Sequence, residues 1–242
     1  MNDYPIKKIK KDFQFIEINL GLKGSRTKRI ALSQNKELAI FKYERKDYEV
    51  SEIASEKMSY EIAKVLNYNC AKIELARDEK NTIGILNYLF INPKIEEHID
   101  ILSYLNNKET KRASFYTISN IKKTLNKIDK ELFPAFLKIM IFDCLVGEQD
   151  RHEENWGIIK RKNIYKISPL YDNGCNLLRE FKNIKFAQDF YNKKKDFLSY
   201  IKKSKTLIYK EDKKTRYKHF ELIEHLYKLY PKEITKEIIK LK

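Results

Sequence analysis

A chain of 242 residues with 42% apolar and 12% aromatic side chains is long enough for one large domain or two lobes, and too rich in core-forming residues to be disordered. No window approaches the roughly 20 apolar residues of a membrane-spanning helix, and Met1 to Asp12 is polar and basic without the apolar stretch of a secretion signal, so the expected location is the cytoplasm. Cys70, Cys144 and Cys175 lie far apart and form no CxxC pair, which excludes a zinc ribbon or disulfide framework, while the net charge of +16 is spread through nearly every segment and reads as a solvated basic surface first.

Taken in chain order, Phe13 to Ile18 alternates with the period of a strand and runs into a polar loop at 21–28 that holds Gly21 and Gly24. Arg29 to Leu32 and Leu38 to Tyr43 read as strands. Tyr48 to Leu66 reads as a helix with Ile53, Met58, Ile62, Val65 and Leu66 on one stripe. Ala71 to Ala76 and Thr82 to Phe90 are short and β-rich, separated by the turn signal Arg77-Asp78-Glu79-Lys80-Asn81. From Pro93 the period becomes helical, with helices expected at Ile95 to Leu105, Ser114 to Lys127 and Glu131 to Val146, the last with Pro134 tolerable only in its first turn. A polar stretch from Gly147 to Asp172 follows, holding two short strands, Trp156 to Lys160 and Ile164 to Ile167. Helices resume at Lys185 to Lys203 and at Tyr217 to Leu241. The expected fold class is α+β: residues 1–92 form a small β-rich lobe with one inserted helix, and residues 93–242 a larger, mostly helical lobe.

The chain has only 6 glycines, and five of them fall either in the first loop or around the segment from 147 to 174. Scarce glycine so placed marks two regions where backbone geometry matters. In the second region, Glu148-Gln149-Asp150-Arg151-His152-Glu153-Glu154-Asn155 is a polar octet between a buried-looking helix and a strand, the setting in which loops present catalytic groups. Asp150 and Asn155 have the spacing of a kinase catalytic base and its metal-binding Asn. Asp172, two residues before Gly174, has the arrangement of a kinase metal-binding Asp, although Asp-Asn-Gly is also a good hairpin turn. Lys42 closes an apolar strand ahead of a helix with acidic residues, as a phosphate-binding lysine does, with Glu56 the first choice of partner and Glu52 the second. Each element alone has an ordinary structural explanation; their order along one chain is harder to obtain by chance.

Asp150-Arg151-His152-x-x-Asn155 together with Ser168-Pro169-Leu170-Tyr171-Asp172 resembles the HipA-like kinase family, and Gly24-x-x-x-Lys28, Lys42 and the Glu56 helix extend the resemblance. It implies a bilobal protein-kinase-like fold and phosphoryl transfer from ATP to Ser or Thr hydroxyls, with Tyr and self-phosphorylation as variants. Asp150 is then the base, Asn155 and Asp172 the Mg2+ ligands, Lys42 the phosphate-binding lysine steadied by Glu56, and His152 a holder of the catalytic loop. Gly21, Gly24, Ser25, Lys28, Asn87 and Leu89 complete the nucleotide-binding set. Where the family has Gln two residues after the loop glycine, this chain has Arg26. The implied partners are ATP and a protein substrate, which includes the chain itself; oligomeric state is left open, and translocation into host cells is an alternative location. Two other functions stay in view. A small-molecule or lipid kinase would share the same residues. A basic nucleic-acid-binding protein is suggested by the charge and by tyrosines among lysines from Tyr209 to Tyr217, though no RRM, KH or zinc-finger signature supports it.

Overall fold

The computed structural model describes residues 5–17, 27–44, 52–105, 111–176, 179 and 183–241. Near the N-terminus a two-residue strand β1 (Lys7–Lys8) and one helical turn α1 (Ile9–Asp12) lead into β2 (Phe13–Ile16), β3 (Lys28–Ser33), β4 (Leu38–Tyr43), helix α2 (Glu52–Val65), β5 (Ile73–Arg77) and β6 (Ile83–Tyr88). These strands form a six-stranded sheet in the order β1-β5-β6-β4-β3-β2. Period-2 alternation divides its residues between two faces. Ala31, Ala39, Phe41, Leu86 and Tyr88 pack with Ile9 and Phe13 on one face, while Ile73 and Ile85 meet Ile53 of α2 on the other.

The second part of the chain contains β7 (Glu97–Asp100), α3 (Leu102–Leu105), α4 (Arg112–Phe115), α5 (Ile118–Ile128), α6 (Leu132–Val146), β8 (Gly157–Arg161), β9 (Ile164–Ile167), α7 (Ile184–Asn192), α8 (Lys194–Lys203), β10 (Lys205–Tyr209), β11 (Arg216–Lys218), α9 (His219–Leu229) and α10 (Pro231–Ile239). Helix α6 is apolar on almost every side and is accordingly central. Its Phe136, Phe142 and Met140 share one core with Tyr116, Ile121, Leu125, Trp156, Leu226 and Ile234. The helix ends where Gly147 takes φ 71°, the left-handed cap that glycine adopts without penalty, and this turn delivers the polar octet. Among the described residues no helix is long and apolar enough to cross a membrane.

Several expected boundaries move. The expected helix from Ile95 to Leu105 is instead strand β7 followed by the single turn α3, because Glu97 to Asp100 finds a ladder partner in β8. Ser114 to Lys127 divides at Tyr116 and Thr117, whose side chain caps α5 by accepting from Asn120 N. The two C-terminal helical runs each split, the first at Lys193 and the second at Pro231, which starts α10 where its missing N–H costs nothing. Between them the hairpin β10–β11 was not anticipated; Leu207 and Ile208 drive it by entering the main core. In this hairpin Tyr217 is buried and Lys210 pairs with Glu221 at 3.0 Å, so the stretch is not an open alternation of tyrosine and lysine. The stripe on α2 is also rotated from expectation. Met58 and Val65 are exposed, while Ile53, Ser55, Glu56, Ser59 and Ala63 are buried, because the polar members of this set have partners inside.

Candidate active site

Lys42 and Ile40 leave the face of β4 opposite Ala39 and Phe41, on the side that carries α2. There the Lys42 Nζ lies 2.9 Å from Glu56 Oε1 and 2.8 Å from Asp172 Oδ1. Burial by itself would lower the lysine pKa, but the two carboxylates outweigh it and hold the ammonium above its ordinary range. Glu52, the second choice of partner, instead meets Arg179 at 2.7 Å. Lys28 stands directly across the ladder from Lys42, so both side chains leave the same sheet face.

A second cluster is organised by Arg151, which is fully enclosed. Its Nε and Nη2 donate to the two oxygens of Asp143 at 3.0 and 2.8 Å, the fork geometry in which guanidinium and carboxylate match best. Its Nη1 donates to the backbone carbonyls of Asn155 at 3.0 Å and Tyr171 at 2.9 Å, and Nη2 also donates to Asn173 Oδ1. One side chain therefore holds the main chain at Asn155 and the main chain immediately before Asp172. Asp172 has φ 53°, a left-handed conformation that Asp tolerates better than most residues, and Arg151 clamps the residues on both sides of it. On the far side of the loop the Tyr116 hydroxyl donates to Arg151 O at 2.9 Å while accepting from Trp156 Nε1 at 2.8 Å.

Asp150 sits at the start of the same turn. The amide Nδ2 of Asn155 donates to Asp150 O at 2.8 Å, and the Cys175 thiol lies 3.7 Å from Asp150 Oδ2. His152 closes the turn: its N–H donates to Asp150 O, its carbonyl accepts from Asn155 N, and its Nδ1 accepts from Glu154 N. Glu148 is buried, and its Oε1 accepts from Asp150 N at 2.9 Å while Oε2 accepts from Asn176 Nδ2 at 3.0 Å. Asn176 also receives Ser59 Oγ on its side-chain oxygen and Ser55 Oγ on its carbonyl, which ties α2 to the turn after Asp172.

The structure thus brings Lys42, Glu56 and Asp172 into direct contact, and joins Asp150 and Asn155 to Asp172 through Arg151. Gly21, Gly24 and Ser25 lie outside the described residues. Asn87 lies on the Lys42 face of the sheet, since the register sets Ile40 opposite Asn87 and Lys42 opposite Ile85. Both polar atoms of its side-chain amide are buried without a protein partner, a donor and an acceptor side by side that suit the edge of a purine ring. Leu89 N is committed to Leu38 O at 2.9 Å. For a metal, the carboxylate of Asp172 and the amide of Asn155 offer oxygen donors, which suit Mg2+ better than a thiophilic ion. Two cavities of about 540 and 360 Å³ are both lined by Asn69, and neither is lined by Lys42, Asp150, Asn155 or Asp172. Converging charges, and not these cavities, define the site.

Sequence reasoning gave no role to Asp143, Glu148, Arg151, Asn173, Asn176, Ser55 or Ser59. One signal was available: Asp143 is the only carboxylate within the apolar run of α6, and a buried acid needs a cation. The sharing of Arg151 among three chain segments has no counterpart in spacing.

Compared with known proteins, the chain matches the family model for the HipA-like C-terminal domain over residues 20–239. It is 30% identical over 183 residues to the serine/threonine-protein kinase CtkA of Helicobacter pylori (strain J99 / ATCC 700824), an alignment that covers 69% of this chain and 55% of that protein. The chain therefore spans about half the length of that curated relative. The crystal structure of a Helicobacter pylori proinflammatory kinase CtkA superposes with a TM-score of 0.73 at 20% identity, covering 98% of this chain and 86% of the other. Shewanella oneidensis MR-1 HipA, solved in complex with HipB and its operator DNA, gives a TM-score of 0.50 at 15% identity, covering 97% of this chain and 63% of the other. These likenesses establish a bilobal, protein-kinase-like α+β fold, with the β-rich lobe carrying α2 and the larger lobe mostly helical. With a family match that takes in Lys42, the Asp150 loop and the Asp172 turn together, the chain belongs to the HipA-like C-terminal domain family.

Proposed function

We propose that the chain is a serine/threonine-protein kinase that uses ATP and Mg2+ and is able to phosphorylate itself. The observation that carries this reading is Lys42 held between Glu56 and Asp172 while Arg151 fixes the backbone of both the Asp150 loop and the Asp172 turn. Phosphoryl transfer asks the protein mainly for alignment and charge neutralisation. Lys42, kept protonated by its two carboxylates, binds phosphate oxygens, and Glu56 keeps its ammonium on the sheet face from which Lys28 also projects. Asn87 offers its unpaired amide to the base. Asn155 and Asp172 would hold magnesium, which would supply positive charge against the phosphates. Asp150 orients the acceptor hydroxyl and takes its proton, from a backbone anchored at its N–H by Glu148 and at its carbonyl by Asn155.

Incubation with ATP and Mg2+ followed by mass spectrometry tests the reading in one run. Wild-type chain is expected to acquire phosphate on Ser or Thr, and D150A and D172A to acquire none. Labelling of both variants at the wild-type level would remove the assignment.

A further inference from the structure

The reaction as described leaves the buried Glu148 carboxylate without a task. Its two oxygens serve different parts of the chain. Oε1 accepts from the N–H of Asp150, and Oε2 accepts from the side-chain amide of Asn176, at 2.9 and 3.0 Å. The same Asn176 amide donates to Asn173 O at 2.8 Å, and its oxygen accepts from Ser59 of α2 at 3.1 Å. Gln149 N donates to Cys175 O at 3.0 Å and runs parallel to this link. We infer that Glu148 is a positioning residue for phosphoryl transfer: its carboxylate bridges the base-bearing loop to the metal-bearing turn, and so sets the distance between Asp150 and Asp172. This rests on the kinase reading and adds to it a requirement for a two-acceptor group at 148.

The chemistry of the bridge is specific. Both partners are N–H donors, so the central group must accept on both atoms, which an ionised carboxylate does and an amide or protonated acid does not. Glu148 and Asn176 are both buried, so an unmatched pair between them is costly. The charged groups facing Glu148 are Asp143 of α6 and Arg151 of its own loop; His219, at the start of α9, lines the same small cavity and meets the Glu148 backbone, and the Cys175 thiol faces Glu148 from the metal-bearing turn. Burial, the dominant influence, pushes the Glu148 carboxyl up to about 7, with Asp143 acting in the same direction and Arg151 against it. The His219 imidazole is driven the other way by burial, below its ordinary value. The bridge is therefore made in full above neutrality and interrupted as Glu148 takes up a proton.

The test uses the full chain with ATP, Mg2+ and its own hydroxyls or casein as acceptor. Wild type, E148Q, N176D and the double variant E148Q/N176D are compared for kcat, for KM of ATP and for the pH profile of kcat, with thermal melts to confirm folding. E148Q sets donor against donor and is expected to lower kcat by about tenfold to a hundredfold, with the ATP KM changed by less than about threefold. Its kcat should lose the acid limb near neutrality that wild type shows. The double variant restores a donor–acceptor match between positions 148 and 176 but gives up the donation to Asn173 O, so it is expected to recover part of the lost rate, about twofold to fivefold. Wild-type kcat and an unchanged acid limb in E148Q overturn the inference, as does a loss confined to the ATP KM. Should E148Q fail to fold, N176A breaks the same bridge from the other side, and wild-type kcat there is equally decisive. A wild-type chain that transfers no phosphate, or a D150N variant that still does, fails the kinase reading and takes this inference with it; an active wild type with silent E148Q fails the inference alone.

Discussion

Replacing Arg151 with Met separates two jobs that one side chain performs. The guanidinium neutralises Asp143, which is 2% exposed and has no other cation in contact among the described residues. Removing one partner of a buried ion pair typically costs about 3–5 kcal/mol, because the remaining charge is enclosed without compensation. For a chain of this size each kcal/mol lowers the melting temperature by about 2–4 °C, so R151M should melt on the order of 10 °C below wild type. The double variant D143L/R151M removes the stranded acid as well and should regain most of that loss, since apolar replacements of buried pairs are often neutral. Activity should not return with it. The carbonyls of Asn155 and Tyr171 and the Asn173 amide lose their common donor in both variants, so the base loop and metal turn are no longer held together. Thermal melts followed by circular dichroism, together with ATP-dependent phosphate incorporation, read the two effects separately. An R151M chain that melts with wild type would refute the electrostatic argument, and a double variant with wild-type activity would refute the positioning one.

Stability should also depend on pH through Glu148. Its pKa is raised from 4.5 to about 7 on folding, so the contribution of its proton is complete below the unfolded value and is lost as pH rises through about 7. Between pH 5.5 and 8 wild type should lose roughly 2 kcal/mol relative to E148Q, measured by denaturant titration as a difference so that the opposite trend of His219 cancels. Parallel curves for the two proteins would show that Glu148 is not held protonated by the fold. Gly84 faces Tyr43 across the β4–β6 ladder, and a Cβ there would stand 2.3 Å from the Phe41 ring and 2.7 Å from Lys42 O. G84A should therefore destabilise by about 1–3 kcal/mol and reduce ATP-dependent thermal stabilisation by displacing Lys42; a variant matching wild type in both would show that β4 yields freely.

Much of this arrangement was legible in the chain itself. The β4 strand and the Glu56 helix follow from period alone, and the pairing of Lys42 with Glu56 follows from placing a strand-end lysine before an acidic helix. The motif Asp150 to Asn155 was readable as a loop because α6 before it is apolar and ends at glycine. What remained hidden was pairing over long sequence distances. β7 reads as helix until β8 is available to accept its backbone, β10 falls in the stretch left between two helices, and β11 overlaps the start of the second, until Leu207 and Ile208 are seen to enter the core. The inward face of α2 was misjudged for a similar reason: Ser55 and Ser59 look like solvent-facing residues unless Asn176, more than a hundred positions later, is known to lie beneath them.

Helices α7 and α8 contribute no buried side chain; Ile184, Phe186, Tyr191 and Leu198 are exposed, and the ring contacts Phe190–Tyr200 and Tyr191–Phe197 run from one helix to the other. With no side chain buried in either helix, their amide hydrogens should exchange faster than those of α6, whose enclosed faces open only with the whole domain. Exchange measured along the chain should thus be fastest between residues 184 and 203 and slowest around the buried pair Asp143–Arg151.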